Sequence, residues 1–154
     1  MNTDAATVTG RRSRIADFIA LTKPRLNSLV VVTTGVGYLA ARPETVDPVQ
    51  FISTIIGAAL VAGGASALNQ IAERKLDERM LRTRDRPLPG RRLQPAEAAW
   101  FAVLLVIAGL LQIATGANLS AAIVAFCTLV SYVGVYTPLK QRTHWAMLVG
   151  AVPG

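Results

Sequence analysis

Four stretches, residues 26–41, 51–71, 96–114 and 119–136, stay apolar over most of the depth of a bilayer, and polar loops bound each of them. A hydrocarbon core about 30 Å thick takes about 20 residues of helix. In lipid, moreover, every backbone polar group must find its partner within the protein. Runs of this length therefore commit the chain to an all-α fold, a polytopic transmembrane helical bundle with four complete spans and the start of a fifth near Trp145. The first run is short, so tilt or snorkelling of Arg25 has to complete it. With 52% hydrophobic residues and a mean hydropathy of +0.42, a soluble architecture is excluded. Residues 1–14 are polar and basic and read as disordered; residues 15–154 read as part of one membrane domain. No short apolar core leads to a small-residue cleavage site, so no cleaved signal peptide is expected.

A formal net charge of +7 raises nucleic acid as a partner. The basic residues, however, fall between apolar runs and lack interleaved aromatics on which bases could stack. Anionic lipid or a phosphorylated substrate fits better. Of the sixteen Lys and Arg residues, all but Arg42 fall on one side of an alternating topology. Arg11, Arg12, Arg14, Lys23 and Arg25 precede the first span. Arg74, Lys75, Arg79, Arg82, Arg84, Arg86, Arg91 and Arg92 lie between the second and third, and Lys140 and Arg142 follow the fourth. The positive-inside rule then puts the N-terminus and the 72–95 loop in the cytoplasm. Residues 15–21 suit a short interfacial helix leading into the first span. The one cysteine, Cys127, sits in an apolar run with no metal-ligand spacing and reads as a packing residue.

The second span carries Ala59, Gly63 and Ala67 at four-residue spacing, with Gly57, Gly64, Ala65 and Ser66 nearby. Such a stripe lets helix backbones approach closely. If the helix continues, Asn69, Glu73 and Asp77 follow at the same spacing and share one face about 6 Å apart along the axis. Two like charges at i,i+4 repel, so a compensating cation is expected there. Oxygen ligands without nitrogen or sulfur suit Mg²⁺ bridging a carboxylate to a phosphate. The spacing fits equally a solvated basic helix end, with Arg74 and Glu78 paired at i,i+4. Pro87, Pro89, Gly90 and Pro95 deny a continuous helix onward and predict a structured loop closing over the site.

The string Asn69-x-x-x-Glu73-x-x-x-Asp77, with Met80-x-Arg82-Thr83 and Arg86-Pro87 after it, resembles the first aspartate-rich motif of the UbiA-type intramembrane prenyltransferases, in the extended form of their haem-modifying branch. Leu21-Thr22-Lys23-Pro24-Arg25 is similar to the opening of that family's first span. Tyr136-Thr137-Pro138-Leu139-Lys140 is similar to its Tyr-x-x-x-Lys motif, and Gly150-Ala151-Val152-Pro153-Gly154 to the start of its fifth span. Two positions depart: Glu73 stands where many relatives have Asp, and Ala146 where a polar residue is usual.

The resemblance implies a nine-span parent fold, of which this sequence holds the N-terminal part, without the second aspartate-rich motif; the chain alone is expected to be inactive. It implies a multi-pass enzyme of the cell inner membrane that transfers a farnesyl group from farnesyl diphosphate to a vinyl group of protohaem (haem B), giving haem O and diphosphate. Mg²⁺ would be held by Asn69, Glu73 and Asp77, and the diphosphate would also meet Arg82, Arg86, Tyr136 and Lys140. Each of those four reads alternatively as a topology determinant or an interfacial residue. His144 is expected at the interface rather than as an axial ligand, and Trp100 and Trp145 in the aromatic belt. Two other readings stand beside this one. The first is a prenyltransferase of the same family acting on a quinone precursor or another tetrapyrrole; the second is a small transporter or structural membrane subunit.

Overall fold

The computed structural model describes residues 13–41 and 45–140, all helix and connecting turns without a strand. The expected fifth span, His144, Trp145, Ala146, Arg42 and residues 1–12 lie outside the described residues. Helix α1 (Arg14–Leu21) is capped by the Ser13 hydroxyl, which accepts from the Ala16 amide. Helix α2 (Pro24–Ala40) has Pro24 in its first turn, where the missing N–H costs nothing. Asp47 caps α3 (Pro48–Asp77) through the amides of Val49 and Gln50. Gln94 and Glu97 form a capping box at the start of α4 (Pro95–Gly116). Asn118 caps α5 (Leu119–Val130) through the Ala121 amide. Helix α5 then widens into a π-helical turn over Ser131–Tyr136 and ends as α6 (Thr137–Lys140).

Three helical stretches are long and apolar enough to cross a membrane: Pro48–Asp77, Pro95–Gly116 and Leu119–Lys140. The first expected span forms α2, which at 17 residues is shorter. The π turn has a local cause. Pro138 lacks an N–H and its ring crowds the carbonyl four residues back, so the preceding turn loosens and the Thr137 amide donates to Tyr132, five residues back. Widened turns of this kind mark many functional sites.

Helix α3 is the axis, packed against α2 on one side and α4 on another. The closest approach to α4 does not follow the four-residue stripe read from the sequence. It runs along glycines seven residues apart, Gly57 and Gly64 on α3 and Gly109 on α4. A methyl group at Gly109 would stand 2.7 Å from the Gly57 carbonyl and 2.8 Å from the Val61 nitrogen; one at Gly64 would stand 2.9 Å from the Ala102 carbonyl. Of the expected stripe, Ala67 is fully buried with Leu21, Leu88, Leu93, Ala98 and Ala102, and Gly63 faces Thr22 and Leu105. Cys127, expected as a packing residue, is exposed among the described residues, where an apolar thiol is as acceptable as a methyl. Trp100 is also exposed, as a belt residue should be.

The seam gives a test with an internal control. In the full-length gene product in detergent, Gly109→Ala should lower stability by about 1–3 kcal/mol, because the added methyl meets backbone rather than a movable side chain. Gly37→Ala, whose methyl would have nothing within 4 Å among the described residues, should be neutral or slightly stabilising. Equilibrium denaturation followed by helix content reads both.

Candidate functional site

Helix α3 does continue past its apolar stretch to Asp77, so Asn69, Glu73 and Asp77 lie on one face as the spacing required. Asn69 Nδ2 donates to Glu73 Oε2 at 3.1 Å. Each carboxylate has a cation: Lys140 Nζ stands 3.4 Å from Glu73 Oε1, and Arg86 Nη1 2.8 Å from Asp77 Oδ2. The compensating cation expected from the sequence was Mg²⁺; in the structure Arg86 and Lys140, from two other parts of the chain, compensate the pair. The alternative pairing of Arg74 with Glu78 is not formed among the described residues.

Asn69 is held from the other side as well. The Thr137 hydroxyl, 1% exposed, stands 2.8 Å from Asn69 Oδ1 and 2.9 Å from the Tyr132 carbonyl. The π turn thus delivers a buried hydroxyl to the amide oxygen and points Lys140 at Glu73. No role was read for Thr137 in the sequence, although it lies inside the Tyr136–Lys140 motif. Its only signal there is the Pro138 that follows it.

The loop after α3 is ordered by its own contacts. Thr83 Oγ1 donates to the Asp77 carbonyl at 3.0 Å, closing the helix end. Leu88 and Leu93 are buried, and the Arg92 and Leu93 amides both donate to the Pro87 carbonyl. Arg92 Nε binds the buried Asp17 of α1 at 2.9 Å, and its Nη2 donates to the Asp85 carbonyl. The loop therefore folds back over the end of α3 as its prolines implied, and brings in Arg86. It does not bring in Arg82, which is exposed and unpaired among the described residues.

Beside this polar end lies a cavity of about 480 Å³ between α2, α3 and α5. Its walls include Val30, Ala58, Val61, Ala62, Ala65 and Leu129, and Lys23, Tyr132 and Tyr136 also line it. The two tyrosine rings stack with centroids 5.6 Å apart. From Ser66 to Ala58 the cavity follows α3 for about 12 Å at 1.5 Å per residue. Lys23, between α1 and α2, has its pKa pushed below the ordinary lysine value. Burial is the main cause and Arg86 adds to it, while Glu73 and Asp77 pull the other way.

The donor set is two carboxylates and one amide oxygen, the chemistry of a hard cation that shares its coordination with substrate phosphates. Among the described residues no group of three His, Cys, Asp or Glu could hold a metal by itself. An apolar cavity with Lys23 on its wall, next to such a polar cluster, suits a molecule with an apolar body and an anionic head.

Comparisons with known proteins agree with this geometry. Residues 30–154 match the UbiA prenyltransferase family. The chain is 44% identical over 147 residues to a protoheme IX farnesyltransferase of Solibacter usitatus, covering 90% of this chain and 50% of the relative. It is 48% identical to proteins of the same name from Anaeromyxobacter sp. strain Fw109-5 and Myxococcus xanthus, over 90% of this chain and 46% and 47% of theirs. The chain thus spans about half the length of the curated relatives it matches. No solved structure matches it. Its apolar helices and this match make it a multi-pass integral membrane protein, and it belongs to the UbiA prenyltransferase family.

Proposed function

We propose that this chain forms the N-terminal half of an enzyme that transfers a farnesyl group from farnesyl diphosphate to a vinyl group of protohaem. The observation that carries the reading is the polar end of α3, where Asn69, Glu73 and Asp77 share one face with Arg86 and Lys140 paired to its carboxylates, next to an apolar cavity lined by Lys23, Tyr132 and Tyr136. The relatives named above, all called protoheme IX farnesyltransferase, support the choice of prenyl donor and acceptor.

In this reading the prenyl tail occupies the cavity and the diphosphate lies against the α3 face. Asn69, Glu73 and Asp77 would hold Mg²⁺, which when bound neutralises charge growing on the departing diphosphate. Arg86 and Lys140, paired here with the two carboxylates, would bind phosphate oxygens of the substrate; a guanidinium forks onto such oxygens. Arg82 is the weakest of the four diphosphate candidates, since nothing directs it to this face. Tyr136 lines the cavity and stacks on Tyr132, which suits a wall against the first prenyl carbons.

The reaction breaks the bond between the allylic carbon and the diphosphate oxygen. The vinyl group supplies the electron pair for the new carbon–carbon bond, and water captures the resulting cation with loss of a proton. The apolar walls limit water at the allylic carbon before that point. The second acidic motif implied by the family would complete the site from the other half. The N-terminus and the 72–95 loop face the cytoplasm of an inner-membrane protein in this scheme, consistent with the clustering of Lys and Arg on that side.

Membranes containing the full-length gene product, given haem B, farnesyl diphosphate and Mg²⁺, should yield farnesylated haem by mass. Asp77→Ala should lower the rate by about a hundred-fold or more, as loss of one charge-stabilising group at a reacting centre does. Haem left unmodified while an aromatic acceptor is prenylated would assign the protein to another branch of the family. No transfer to any acceptor would favour a transporter. Thr137→Val, which keeps the shape of the side chain, should raise the Mg²⁺ concentration for half-maximal activity by about ten-fold, in the range seen when a ligand loses its supporting hydrogen bond.

A further inference from the structure

Among the described residues Lys23 is the one charged side chain lining the cavity, and the acidic groups nearest it, Glu73 and Asp77, already have cations. Arg86 pairs with Asp77, Lys140 with Glu73, Arg92 with Asp17, and Arg14 with Glu97. Lys23 makes no ion pair and no side-chain hydrogen bond among the described residues, although it is half-buried. A half-buried ammonium without a partner is costly. Its backbone is held in the left-handed region at φ 48°, which a residue with a Cβ adopts only when its surroundings impose it. Those surroundings are visible. Gln70 Nε2 donates to the Leu21 carbonyl at 2.7 Å, Asn27 Nδ2 donates to the Thr22 carbonyl, and Thr22 Oγ1 donates to the Ile19 carbonyl at 2.8 Å. The junction of α1 and α2 is thus fixed on both sides, and a glycine or asparagine would sit there with less strain.

We infer that Lys23 is a substrate-binding residue, an ammonium held at the wall of the cavity to take an oxyanion of a substrate. This rests on the prenyl-transfer reading. Two oxyanions are available in that reaction, the diphosphate of the prenyl donor and a carboxylate of the haem acceptor. Lys23 complements Arg86 and Lys140 in one respect: those two are committed to carboxylates until substrate arrives, whereas Lys23 is available from the start.

The test is steady-state kinetics of the full-length gene product in membranes, comparing wild type with Lys23→Asn and Lys23→Arg. Asparagine tolerates the left-handed backbone, so the variant removes the charge without straining the junction. A lower folded fraction would reduce kcat and leave KM alone. The expected result is a KM for one substrate raised about ten-fold by Lys23→Asn, as for loss of a charged hydrogen bond, with kcat little changed and Lys23→Arg near wild type. A rise for farnesyl diphosphate, with weaker inhibition by inorganic diphosphate, assigns the diphosphate. A rise for haem alone assigns the acceptor carboxylate. Wild-type KM values for both substrates in Lys23→Asn would overturn the inference while leaving the reaction intact. Absence of prenylated product from wild type would overturn both.

Discussion

A helix in lipid gains little from burying its apolar side chains against a neighbour, because the acyl chains it gives up are as apolar as the helix it meets. What remains is the closeness of contact, and α3 and α4 obtain it by removing side chains. At Gly57, Gly64 and Gly109 the backbones meet where no Cβ fits. With α4 held there, α3 can present its other faces to α2 and α5 and leave between them the cavity that Lys23, Val30 and Tyr136 line. The loop joining α3 to α4 is then short enough in space to fold back over the end of α3, where Leu88 and Leu93 pack against Leu21 and Ala67.

The polar end obeys a second constraint. Asp77 is 5% exposed, and a carboxylate so placed must be matched. Its partner Arg86 retains more solvent access, with 30% of its side chain exposed, so desolvation offsets part of the attraction and the pair is not a strong source of stability. That makes it exchangeable. The same holds for Lys140 and Glu73, longer at 3.4 Å and with the lysine half-exposed. Carboxylates that rest on such cations keep the site folded without substrate, and in the proposed reaction those cations would be free to meet a diphosphate.

Much of this was legible from residue order. Apolar run length located the helices, and the positions of Asn69, Glu73 and Asp77 placed three oxygen-bearing side chains on one face once the helix was known to continue. The prolines of the 87–95 segment announced a folded loop. What sequence could not supply were partners across the bundle. Arg82 and Arg86 look alike in a run of arginines, and only the turn at Met80–Thr83 decides that one reaches Asp77 and the other does not. Gly57 and Gly64 stood in the small-residue stretch, but the stripe was read at the familiar four-residue spacing, whereas this crossing uses seven, and its third member, Gly109, lies in a second helix. Thr137 was hidden because its role depends on the widened turn ahead of Pro138. Lys23 read only as one more cation on the positive side, since its place on the cavity wall appears only once the helices are packed.

In the proposed reaction the α3 face and the diphosphate would bind a divalent cation jointly, neither holding it well alone. Mn²⁺ titrated into the full-length gene product, with free ion followed by electron paramagnetic resonance, tests this directly. The account predicts weak Mn²⁺ uptake by the protein alone and a marked tightening when inorganic diphosphate is added, beyond the binding of Mn²⁺ to diphosphate in buffer and absent in Asp77→Ala. Uptake that is indifferent to diphosphate, or equal in Asp77→Ala and wild type, would contradict it.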